Sequence, residues 1–176
     1  MDILAHALWT TAAAIPARQK ITRPLSVPWA AFWGIFPDVF SFTIPAILRI
    51  WWYATGVTQS LRPDPESAKR LQFVWQLYHC SHSLITFAAV FAIVWLLVGR
   101  PVLEMLAWCL HILLDIGTHR GIFAIHFLWP FSAYSVSTLR WENPIFFAAN
   151  YAALLLVYLW LWIRLRKTRT QRQPVT

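Results

Sequence analysis

Charge and glycine are both scarce in this chain. Only 12% of its 176 residues are Asp, Glu, Lys or Arg, and glycine occurs five times. That charged share is about half of what a soluble domain carries, and the apolar content excludes a disordered chain. The five glycines form no phosphate-cradling loop, and no Gly-x-Ser-x-Gly elbow is present for acyl chemistry through serine. Cysteine is scarce as well. Cys80 and Cys109 lie in apolar stretches without Cys-x-x-Cys spacing, which excludes a disulfide framework and a zinc knuckle and leaves them as small apolar packers.

Apolar and aromatic residues fill the space that charge leaves. Residues of the AVILMFWYC class make up 59% of the chain, with twelve Trp and twelve Phe. Amphipathic rings at this density suit a surface that meets lipid and headgroups. The length is that of one domain. The net charge of +8 is concentrated: five of the fifteen cations (Arg164, Arg166, Lys167, Arg169, Arg172) follow directly on an apolar run. Such placement reads as the cytoplasmic flank of a membrane span and not as a nucleic-acid groove. The expectation is an integral membrane protein whose partner is the lipid bilayer.

Four apolar runs, 25–48, 71–98, 102–123 and 145–163, each supply the ~20 residues that cross a bilayer as a helix. A fifth run, 3–15, lacks the cationic start of a signal peptide and is either a short span or a helix in the interface. The predicted fold is therefore an all-α helical bundle of about four transmembrane helices plus a short N-terminal helix. Residues 1–163 form one transmembrane domain, and 164–176 form a basic cytoplasmic tail. The segment RPDPES, residues 62–67, reads as a solvent-exposed connection. With the tail inside, nine cations fall inside and six outside (Arg49, Arg62, Lys69, Arg70, Arg120, Arg140).

Most of the remaining ionisable residues stand in pairs within the apolar runs. Asp2 and His6, His79 and His82, and His111 and Asp115 each share a helix face at spacings of three or four. Asp38 follows Pro37 in Gly-Ile-Phe-Pro-Asp, where the proline predicts a kink. At ~1.5 Å of rise per residue, Asp38 lies about 22 Å from Arg23. Counted from Arg100, His111, Asp115 and His82 lie at about 16, 22 and 27 Å. Three spans thus bring carboxylates and imidazoles to one layer in the outer half of the bilayer. A charge there costs at least ~3 kcal/mol, and no Lys or Arg shares the depth. A divalent metal neutralises such a set, and His/Asp ligation without cysteine is what zinc, manganese or iron hydrolytic sites use. A single intramembrane histidine more often bonds helix to helix, which is the reading for His126.

The order of these residues resembles a family of small bacterial inner-membrane proteins predicted to be metal-dependent hydrolases, one branch of which is called YdjM-like. The elements that carry the resemblance are Asp2 with His6, Pro37-Asp38, and His79-Cys80-Ser81-His82-Ser83. They continue through His111-Ile-Leu-Leu-Asp115, Thr118-His119 and Leu128-Trp129-Pro130, so that residues 2 to about 145 are covered. Some branches carry His-Arg five residues before the second His, where this chain has Leu77-Tyr78. The His-x-x-x-Asp element also resembles that of zinc-dependent phospholipases C and related all-α nucleases, which points to phosphoester bonds.

The expected function is a membrane-embedded metal-dependent hydrolase. Asp38, His82, His111 and Asp115 bind one or two ions, zinc first, with manganese and iron as alternatives. His6, His79 and His119 are further ligands or supports, and an uncoordinated Asp2 or His119 is the general base. A site at that depth favours a lipid or lipid-linked phosphoester. The alternative is a non-enzymatic bundle that conducts ions or protons, or binds haem through facing histidines such as His82 and His111.

Overall fold

The computed structural model describes residues 1–23, 25–61, 71–136 and 139–170, and within them the chain is helical with no strand. Six α-helices follow in order: α1 (Ile3–Lys20), α2 (Val27–Ala54), α3 (Phe73–Ser81), α4 (Leu84–Val98), α5 (Leu106–Ile116) and α6 (Pro144–Thr170). The RPDPES connection and residues 171–176 of the tail lie outside the described residues.

Helix α1 starts at an Asp2 cap, whose carboxylate accepts the Ala5 N–H at 3.0 Å. The run expected to end at residue 15 continues to Lys20, with Pro16 inside the helix. Helix α2 starts at Ser26, which accepts the Trp29 N–H, with Pro28 in the first turn where its missing donor costs nothing. It is the hub of the fold, packing on α1, α3 and α5, while α6 docks on α1. Tyr151 Oη donates to Asp2 Oδ1 at 2.8 Å and Tyr158 Oη to the Leu8 carbonyl at 2.9 Å, so α1 and α6 run in the same direction. Their basic ends, Arg18 and Lys20 on one and Arg164 to Lys167 on the other, therefore share one end of the bundle. The Ser26 N–H, bound to Glu104 Oε1 at 2.9 Å, brings the α2 and α5 starts to that same end.

Two helices, Val27–Ala54 and Pro144–Lys167, are long and apolar enough to cross a membrane. The run 71–98, expected as one span, is instead a pair, α3 and α4, bent by 65°. Ser83 makes the corner: its hydroxyl accepts the N–H groups of Ile85 and Thr86 and so begins a new helix. The run 102–123 gives a 3-10 turn and the 11-residue α5, about 16 Å long, before the chain turns into loops. The basic segment 164–170 continues α6 and is not separate from it. Large apolar side chains are exposed along these helices, among them Leu96, Leu97 and Ile145. A surface of this kind suits hydrocarbon and not water.

Helices α1 and α2 meet where Gly34 faces Thr10. A Cβ on Gly34 would collide with Thr10 Oγ1 and lie 2.6 Å from its Cγ2. Gly34→Ala should therefore force the two helices apart and cost about 1–3 kcal/mol, read as a lower thermal midpoint in detergent. An unchanged midpoint would show that the contact is not tight.

Candidate metal centre

Four buried side chains from three parts of the fold meet where α1, α2, α3 and α5 come together. Asp38 comes from the middle of α2, His82 from the end of α3, and His111 with Asp115 from one face of α5. Gly34 O, one turn before Asp38 on α2, takes the Nδ1–H of His111 at 2.7 Å. His82 is held in the same way: its Nδ1 lies 3.0 Å from Tyr78 O and 2.9 Å from Ser81 Oγ. A carbonyl oxygen only accepts, so both rings carry their proton on Nδ1 and turn an Nε2 lone pair inward.

Those two Nε2 atoms are 3.1 Å apart. Two lone pairs facing each other at that distance repel unless they share a cation. The carboxylates complete the set. His111 Nε2 lies 3.2 Å from Asp115 Oδ2 and 3.9 Å from Asp38 Oδ1, and His82 Nε2 lies 3.7 and 3.5 Å from the same atoms. A tetrahedral zinc site with bonds of about 2.0–2.1 Å has ligand–ligand edges of about 3.3 Å. The five separations that involve an imidazole, 3.1 to 3.9 Å, bracket that edge.

Hydrogen bonding does not account for the arrangement. Asp115 Oδ2 and both nitrogens of His6 are buried without a hydrogen-bond partner among the described residues. Yet His6 Nε2 approaches Asp115 Oδ1 to 2.9 Å, and its ring stacks on His111 with centroids 3.6 Å apart. Two sets of three donors lie within 4.8 Å of one another, His82 with His111 and Asp115, and His6 with Asp38 and His111. The buried His/Asp groups can hold a metal ion.

The other predicted site residues divide. His119 joins the cluster, with Nδ1 at 3.2 Å from Asp115 Oδ1. Asp2 lies in the wall of the adjoining cleft, but its Oδ1 is engaged by Ala5 N and Tyr151 Oη. His79 is not brought to the cluster. The His79 ring stacks instead on His126, with centroids 4.3 Å apart.

Several contributors had no signal in the spacing. The Met1 amino nitrogen contacts Asp115 Oδ1 and lies 3.5 Å from Thr118 Oγ1, so Asp115 does meet a protein cation. Among the described residues Asp38 does not: its close ionic neighbours are the imidazoles of His82 and His111. Ser41 and Ser81 bond to each other at 2.8 Å, and both reach Pro37 O, tying α2 to α3 beside His82. Their only mark in the sequence is a small polar residue within an apolar stretch. A cleft of about 480 Å³ lined by Met1, Asp2, Asp38, Tyr78, His119 and Trp141 opens the cluster to the surface.

Compared with family models, with curated proteins and with solved structures, the chain matches none. The site rests on its own geometry.

Asp115→Asn keeps size but removes charge, and His111→Ala removes the shared nitrogen ligand. Each should lower bound metal sharply, by a factor of ten or more (order of magnitude), in elemental analysis of folded, membrane-inserted protein. His126→Ala, remote from the four donors, should leave it unchanged. Equal metal in all four proteins at matched purity would remove the metal centre.

Proposed function

We propose that this chain is a metal-dependent hydrolase of the bacterial inner membrane that cleaves a phosphoester of a lipid or lipid-linked substrate. The observation that carries the reading is the convergence of the Asp38 and Asp115 carboxylates on the His82 and His111 Nε2 atoms at 3.1 to 3.9 Å, with Asp115 Oδ2 lacking a hydrogen-bond partner among the described residues. The nitrogen and oxygen donor set suits zinc, with manganese and iron as alternatives. A bound ion supplies Lewis acidity toward the phosphoryl group and its attacking water.

The protein's own residues supply the rest. His82 and His111 are fixed in one tautomer by Tyr78 O and Gly34 O, so their inward nitrogens need no reorientation. His119 lines the open cleft, with its Nδ1 3.2 Å from Asp115 Oδ1. It is the better candidate to take a proton from water. Asp2, held by its cap and by Tyr151, anchors α1 so that His6 and Met1 reach the cluster. The resemblance of the motif order to that of the YdjM-like proteins is in keeping with the same reading.

Conduction and haem binding fit less well. The cavity toward the basic end is lined mainly by Ala13, Ala14, Ala17, Leu103 and Leu110, unlike a conduction path. The His82 and His111 nitrogens in contact leave no gap for a porphyrin.

We place the basic end in the cytoplasm and the cleft outside. The bent pair and α5, each extended by its flanking turns, complete four crossings with α2 and α6. Single cysteines at Thr58 and at Gly99 test the orientation: an impermeant reagent should label the first in intact cells and the second only after the cells are opened. The reverse pattern inverts the topology.

Purified protein should hydrolyse a chromogenic phosphodiester or a phospholipid, and a chelator should abolish the turnover. His119→Gln should lower kcat about a hundredfold with metal retained. Turnover that survives complete metal removal would refute the proposal.

A further inference from the structure

A second cleft lies beside the first, with different chemistry. It also measures about 480 Å³, and its wall is Arg120, Arg140, Asn143, Leu139, Ile145 and Phe146. Two short segments separate the clefts. The Trp141 N–H donates to Thr118 O at 3.0 Å and the Leu139 N–H to Gly117 O at 3.3 Å, pairing 139–141 with 117–120. Arg120 is extended (φ −137°, ψ 162°), and successive side chains of an extended segment point to opposite sides. His119 and Trp141 line the metal cleft accordingly, while Arg120 and Arg140 line the second.

We propose that Arg120 and Arg140 form a binding site for the phosphate of an anionic lipid headgroup. The cleft stands at the start of α6, whose apolar stretch Pro144–Lys167 can cross a membrane, so it lies at the level where headgroups meet hydrocarbon. Its two halves match a lipid. Two guanidinium forks, geometrically suited to phosphate oxygens, face Ile145 and Phe146, which suit the first methylenes of an acyl chain. Arg140 has one neighbouring carboxylate, Glu142 at 3.8 Å, and both side chains are at least half exposed. A pair so exposed is weak and gives way to a doubly bonded phosphate. The Arg120 carbonyl accepts the Phe123 N–H at 3.3 Å, while its guanidinium has no hydrogen bond or ion pair among the described residues. The site does not depend on metal in the neighbouring cluster.

The test uses the full chain in detergent, with bound lipid counted by native mass spectrometry. The probes are phosphatidylglycerol, phosphatidylcholine and inorganic phosphate, applied to wild type, to Arg120→Gln/Arg140→Gln and to Arg100→Gln at the opposite end. Phosphatidylglycerol should be retained over phosphatidylcholine by wild type and Arg100→Gln, and about tenfold less by the double variant. Unchanged metal content in the double variant separates this loss from damage to the metal centre. Equal phosphatidylglycerol retention in wild type and double variant would overturn the proposal. Arginine-dependent binding of inorganic phosphate without arginine-dependent lipid retention would overturn the lipid as its source.

Discussion

The carboxylate of Asp115 is the constraint that the rest of the structure answers. It is 1% exposed inside an apolar bundle, where an uncompensated charge is expensive. Every element near it sends something toward it: His111 from its own helix, His82 from the corner after α3, His6 and the Met1 nitrogen from α1, and His119 from the loop after α5. The two oxygens divide the work. Oδ1 faces the Met1 nitrogen, His6 and His119, and Oδ2 faces His82 and His111 without a hydrogen bond. Bundle packing and site assembly are thus one problem, because the helices cannot separate without uncovering this charge.

Much of the cluster was legible in the sequence because charged residues in apolar runs have few reasons to be there. Asp38, His82, His111 and Asp115 were marked by depth, counted at a fixed rise per residue, and by the pairing of His111 with Asp115 on one face, and their side chains do lie close together. His79 was paired with His82 by its spacing of three, and its ring lies instead against that of His126. Composition identified an all-helical chain with spans, since apolar runs of that length have few other uses. It did not show that the run 71–98 bends at Ser83, because the capping hydroxyl looks like any other small residue until its N–H partners are known. Nor could it show the Met1 nitrogen beside Asp115, a contact between residues 114 positions apart.

Gly34 on α2 has two roles in placing the imidazole of His111. Its carbonyl takes the Nδ1–H of that ring, and its missing side chain admits Thr10 where a Cβ would not fit. One residue therefore sets both the distance to α1 and the tautomer of a ring on α5. A single glycine is thus a fixed reference point for residues far apart in sequence.

The corner between α3 and α4 breaks the helical ladder beside His82, and broken backbone is tolerated at membrane depth only where protein covers it. Here the cover is the loop after α5. Leu84 N–H binds Phe127 O at 2.9 Å, and Ser83 Oγ binds Trp129 O at 2.5 Å. That loop works as a splint, set across a fracture in another element. Lengthening or shortening it by a residue would leave the stranded amide of Leu84 in hydrocarbon and free His82 to swing, although neither Phe127 nor Trp129 supplies a donor to the cluster.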